Sequence, residues 1–205
     1  MREQVKRAHR SGWLAAAMLA AAPAIAGGID EPLRATLLHL AQDDQEAVRI
    51  AVADPAHPLG EAAMQRTSEI HDRNAETIRR IVREHGWPGI GLVGEDGSHA
   101  AWLVVQHMDT EPEFQKSCLS LMQQAFQNGE VRARDLAYLT DRVLTSEGKP
   151  QMYGTQGLGV RSPADEVRID GNRAAIGLEP WRDAVEKRKK QYANGYDATA
   201  VPERR

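Results

Sequence analysis

The chain has 205 residues, 26 basic and 29 acidic, with a formal net charge of −3 and 41% hydrophobic residues. That length holds one domain with a real core, and the acidic balance argues against a nucleic-acid partner. Cys118 is the single cysteine, so an internal disulfide is excluded.

The first 26 residues read as an export signal. Arg2, Lys6, Arg7 and Arg10 make a basic stretch, and residues 13–22 are apolar but too short to span a bilayer comfortably. Pro23 breaks the segment, and Ala24-Ile25-Ala26 gives the small-x-small cleavage pattern. Removing these four basic residues and one acidic residue, Glu3, leaves 22 basic against 28 acidic. The mature chain is expected to be periplasmic or secreted, with no stable membrane insertion once the signal is gone. The organisation expected is a signal at 1–26, a helical domain at 27–194 and a disordered tail at 195–205.

Residues 31–54 show helical spacing through Leu33, Leu37, Leu40, Ala41, Val48 and Val52, stopped by Pro55 and Pro58. Residues 60–85 form a second helix with Ile70, Ile78, Ile81 and Val82 late on its stripe and Gly86 as its cap. Residues 87–97 are rich in Gly and Pro and read as a connection. Ser98 is placed to cap a helix over 100–108. Thr110-x-x-Glu113 is a capping-box pattern before a helix carrying Phe114, Cys118, Met122 and Phe126, which Asn128-Gly129 ends. Cys118 on that face reads as a small buried hydrophobe. Residues 135–147 form another helix, 149–168 a loop, and 180–193 a charged peripheral helix. The fold class is therefore mainly α, a single irregular bundle of about six helices, with a minor β element near 89–93 as an alternative.

Gly89-Ile90-Gly91-Leu92-Val93-Gly94 spells G-x-G-x-x-G, but dinucleotide binding needs a strand before it and a helix directly after. A helix and Trp87-Pro88 precede it here and Glu95-Asp96-Gly97 follows, so no cofactor is assigned. No H-E-x-x-H and no paired Cys or His at ligand spacing occurs, so no metal site is assigned either.

Residues 102–110 carry the most information. An almost wholly apolar run ends in Gln106, His107 and Asp109. Such a run belongs in the core, and polar groups at its end must find partners. An imidazole that titrates near neutral pH, oriented by a carboxylate, is a general base. The candidates are therefore His107 as base with Asp109 or Asp141 as its orienter. Arg142, beside Asp141, should have a partner of its own because adjacent helical residues do not face each other. The loop 151–157 brings Tyr153 and Gln156 with glycines that permit close backbone approach and anion binding through successive N–H groups. Asn74 shares a stripe with His71 and Ile78, and Arg173 is suited to clamping a carboxylate or phosphate. His39, His57 and His99 read as ordinary surface or loop residues.

In order, Asp72-Arg73-Asn74, Gly86-Trp87-Pro88, Val93-Gly94, Ala100-Ala101-Trp102-Leu103, Gln106-His107-Met108-Asp109, Leu136-Ala137-Tyr138-Leu139-Thr140-Asp141-Arg142, Tyr153-Gly154-Thr155-Gln156 and Arg173-Ala174-Ala175-Ile176-Gly177-Leu178-Glu179-Pro180 resemble an uncharacterised bacterial domain family of unknown function. Pro112 fits the proline that usually follows that family's Q-H-x-D block, and Met108 replaces its frequent Ala. The resemblance implies a shared domain over about 72–180 with many polar motif positions, and it implies no activity.

The reading that follows is an exported protein with a polar cleft lined by His107, Asp109, Asp141, Gln106, Arg142, Tyr153, Gln156, Asn74 and Arg173. The cleft would serve hydrolysis or proton transfer on a small polar or envelope-derived molecule. The alternative is a non-catalytic ligand-binding or scaffolding module of the cell envelope. The sequence names neither the small molecule nor an oligomeric state.

Overall fold

A computed structural model describes residues 28–52, 61–157 and 162–193. Among the described residues there are seven α-helices and no strand: α1 (Glu31–Val52), α2 (Glu61–His85), α3 (Ile90–Gln106), α4 (Pro112–Phe126), α5 (Ala133–Ser146), α6 (Pro163–Ala175) and α7 (Trp181–Ala193). The mainly α bundle is as expected, with one helix more. The expected signal, the cleavage site, His57 and the tail lie outside the described residues.

α3 is the centre, packed against α1, α2, α4 and α5. Ala101, Val104 and Val105 of α3 meet Leu37 and Leu40 of α1, Ile78 and Ile81 of α2, Cys118 and Met122 of α4, and Leu139 of α5 in one core. Each fully buried Leu, Ile or Met contributes roughly 1.5–3 kcal/mol relative to exposure. α6 and α7 close over a separate, smaller cluster of Ile169, Trp181 and Val185.

The glycine-rich stretch is not a connection or a β element, because α3 begins at Ile90 and runs through it. Glu130 makes this affordable. Its carboxylate accepts from the Gly91 N–H at 2.5 Å and its carbonyl accepts from the Ile90 N–H at 3.0 Å, an acidic cap on the positive end of the helix. A Cβ at Gly89 or Gly91 would fall 2.6 or 2.8 Å from a Glu130 carboxylate oxygen, which accounts for both glycines without any nucleotide. Gly94 (φ 76°, ψ 166°) interrupts the helix with a kink that only glycine adopts readily. Ser98 therefore lies inside the helix, buried, accepting from the Trp87 indole at 3.3 Å rather than capping.

Two further boundaries differ. Glu111, not Thr110, is the N-cap of α4, with Pro112 in the first turn and no side-chain capping bond. Residues 163–168 are helical, because Ser162 caps α6 by accepting from the Asp165 N–H and Pro163 opens it.

Cys118 is fully buried, and burial pushes its thiol up to about 12. The folded chain should leave it unlabelled by a thiol-specific disulfide reagent at mildly alkaline pH, and unfolding in urea should expose it. Because the folded thiol titrates above the unfolded one, stability should fall as pH rises through the ordinary thiol range toward about 12. Rapid labelling of the native chain would contradict this.

Candidate functional site

His107 stands at the C-cap of α3, where the apolar run delivers it. Its Nδ1 lies 2.7 Å from Oδ2 of Asp44, a side chain only 2% exposed, while the imidazole itself is 25% exposed. The carboxylate beside the His107 ring is thus neither that of Asp109 nor that of Asp141 but that of Asp44, on α1. A carboxylate only accepts, so Nδ1 is the donor toward Asp44, and Nε2 is the ring's other nitrogen. The amide nitrogen of Gln106 lies 3.3 Å from that Nε2.

Amides surround the pair. Gln45 donates to Asp44 Oδ2 at 3.1 Å, and Asn74 of α2 donates to the Leu40 carbonyl at 3.0 Å, one turn before Asp44 on α1. Gln115 of α4 donates to the carbonyls of Val105 and Gln106, 3.1 Å each, at the end of α3. Three amide oxygens, Gln45 Oε1, Asn74 Oδ1 and Gln106 Oε1, are buried without a hydrogen-bond partner. A buried acceptor left unanswered costs about 1–3 kcal/mol, and two of these three belong to residues that contact the pair, Gln45 and Gln106.

The other expected site residues sit elsewhere. Asp109 is exposed and pairs with Arg142 at 2.6 Å, so Arg142 does have its own partner. Asp141 is fully buried and accepts from the N–H groups of Met152 (2.7 Å), Tyr153 (3.0 Å) and Thr155 (2.8 Å) and from the Thr155 hydroxyl (3.0 Å). The loop's N–H groups are turned onto the chain's own Asp141 side chain. Gln156 donates to the Tyr138 carbonyl at 3.3 Å, and Arg173, 5% exposed, donates to the carbonyls of Glu179 (2.6 Å) and Tyr153 (2.9 Å). Burial raises the Tyr153 phenol above its ordinary range, with the Asp141 charge adding to it. At Gly154 a Cβ would lie 2.6 Å from the Trp181 ring, and its φ of +67° is itself glycine's, so the loop packs directly under α7. No hydrogen bond or ion pair among the described residues joins this loop to the His107 group.

A second imidazole also differs from its expected role. His99 lies 3.0 Å from Asp135 and stacks on Trp102 at 4.9 Å. Asp135 is already held by Arg132 through two bonds of 2.9 and 3.1 Å, so this ring belongs to a packed ion cluster. Among the described residues no group of three or more His, Cys, Asp or Glu is placed to hold a metal ion.

A family model described as a family of unknown function, DUF6624, matches residues 31–195. The chain belongs to the DUF6624 family. The matched region begins at the first residue of α1 and takes in all seven described helices, so the DUF6624 domain includes Asp44 and Gln45 and reaches beyond the resembling blocks at both ends. No curated protein and no solved structure matches this DUF6624 chain. Among the described residues no helix is long and apolar enough to cross a membrane.

Proposed function

We propose that this chain is an exported enzyme in which His107 acts as a general base for hydrolysis or proton transfer on a small polar molecule of the cell envelope. One observation carries the reading: a partly exposed imidazole bonded at 2.7 Å to a nearly sealed carboxylate. Asp44 is a positioning residue. It fixes the ring and stabilises the charge the ring gains when Nε2 takes a proton from water or from a substrate hydroxyl. That oxygen would replace the long 3.3 Å contact from Gln106. Export rests on the basic, apolar and small-residue pattern of residues 1–26. Asp141, Tyr153 and Gln156 hold the loop and do no chemistry in this reading.

The test is a panel of chromogenic esters, amides and glycosides with the purified chain and with His107→Gln. Loss of a positioned general base should lower turnover by about 10²–10⁴-fold with the helical circular-dichroism signal kept. Turnover that survives the substitution would overturn the proposal.

A further inference from the structure

Many of the described arginines answer a carboxylate: Arg34 pairs with Asp96, Arg79 with Glu111, Arg132 with Asp135, Arg142 with Asp109 and Arg182 with Glu166. Arg134, Arg173 and Arg188 have no carboxylate hydrogen-bonded to them among the described residues, and they line one pocket of about 190 Å³ between α5, the loop after it, α6 and α7. Arg173 is buried and donates only to main-chain carbonyls. Arg188 donates to the Thr155 carbonyl at 2.6 Å, and its Nε is buried with no partner. Arg134 is exposed, with its guanidinium 5.4 Å from the Tyr138 ring centre and no acid partner among the described residues. Lys187 adds a fourth cation, and the pocket's one acid, Glu179, is engaged by it at 3.4 Å.

The chain's other anion-seeking places are filled from within, α3's N-terminus by Glu130 and the loop's N–H groups by Asp141. This pocket sets four cations, Arg134, Arg173, Arg188 and Lys187, against one lining acid, Glu179, and buried charge left unbalanced is expensive. Its remaining wall is apolar, from Tyr138 and Leu178.

We infer that this pocket binds a small organic oxyanion, a phosphate ester or carboxylate whose apolar part lies on Tyr138 and Leu178 and whose head group meets Arg134, Arg173 and Arg188. Guanidinium forks suit such head groups, and three of them from separate elements give a charge that one small anion can neutralise. The site is independent of the His107 reading.

Isothermal titration of the purified chain with phenyl phosphate, benzoate, inorganic phosphate and benzamidine tests it. Arg134 and Lys187 are exposed, so Arg134→Gln and Lys187→Gln should fold normally. Saturable binding of phenyl phosphate or benzoate, weakened about tenfold or more by Arg134→Gln, and weakened again by added salt, is the expected result. Whichever of the two binds tighter identifies the head group, and inorganic phosphate should bind more weakly than its phenyl ester because it leaves the apolar wall bare. His107→Gln should leave these affinities unchanged, which separates this site from the proposed base. Absence of saturable binding of both aromatic anions up to about 10 mM, equal binding of benzamidine, or affinity unaltered in both variants would overturn the inference.

Discussion

Asp141→Ala should destabilise the fold by about 3–6 kcal/mol, the largest effect expected of any single substitution here. The Asp141 carboxylate is wholly buried, and four donors converge on it, the N–H groups of Met152, Tyr153 and Thr155 and the Thr155 hydroxyl. Alanine leaves all four facing a void. Each unanswered buried donor costs about 1–3 kcal/mol, and a charged acceptor makes stronger bonds than the neutral average, so the sum is large even after the loop relaxes. The damage should spread. The Gly154 carbonyl accepts from the Trp181 indole at 3.1 Å and the Tyr153 carbonyl accepts from Arg173 at 2.9 Å, so losing the loop's shape loosens α6 and α7 from the bundle. Urea unfolding measures the first effect, and limited proteolysis in the segment after α5 measures the second. Asp141→Asn should fall between alanine and the native residue, because its amide keeps one acceptor and turns an NH₂ toward donors. A variant within about 1 kcal/mol of the native chain would show that the loop is held by something other than this carboxylate.

The helices were legible where apolar periodicity and caps agreed. Gly86, expected as a helix stop, has a φ of +69°. α3 was half legible. Its apolar end announced itself, but its first turns hold Gly91, Gly94 and Gly97, and a glycine costs a helix about 1 kcal/mol relative to alanine. The compensation, Glu130, is 39 positions from the Gly91 N–H it caps, so no local window contains it. α6 has a local signal of its own. Ser162-Pro163-Ala164-Asp165 is a capping sequence with proline in the first turn. The helix behind it is charged and buries only Ile169 and Arg173, so periodicity gave no support.

The site shows the same division. His107 was legible as the polar end of a buried run. Its partner lies in α1, 63 positions away, where the sequence also carries a signal. Leu37, Leu40, Asp44 and Ala47 follow the three- and four-residue spacing of one helix face, and all four are buried. A carboxylate on the core stripe is the anomaly that a search for polar residues at apolar positions finds. Asn74, between Ile70 and Ile78 at the same spacing on α2, is its counterpart and is 2% exposed. The YGTQ loop misled for a physical reason. Glycines and free N–H groups attract anions whether the anion is a ligand or a side chain of the same chain, and only the tertiary structure says which.

Asp44→Asn probes the His107 pair without needing a substrate. The change is isosteric and keeps the cavity filled, but it replaces an acceptor-only group with one that both donates and accepts. In the native chain Nδ1 faces the carboxylate at 2.7 Å, so long-range ¹⁵N correlations of the His107 ring should report the Nδ1–H tautomer. In the variant the asparagine NH₂ can donate to a bare Nδ1, and the ring should shift toward the Nε2–H form. That form has no lone pair on the partly exposed side, so any His107-dependent turnover should fall by about 10²–10⁴-fold. The double variant with His107→Gln should then be no slower than either alone, since positioning a base that is absent gains nothing. The fold should lose only about 1–2 kcal/mol, because one hydrogen bond changes character and none of the packing does. The two readouts constrain each other. A tautomer shift without loss of turnover would place the chemistry elsewhere, and loss of turnover with the native tautomer intact would mean that Asp44 acts through its charge rather than by orienting the ring.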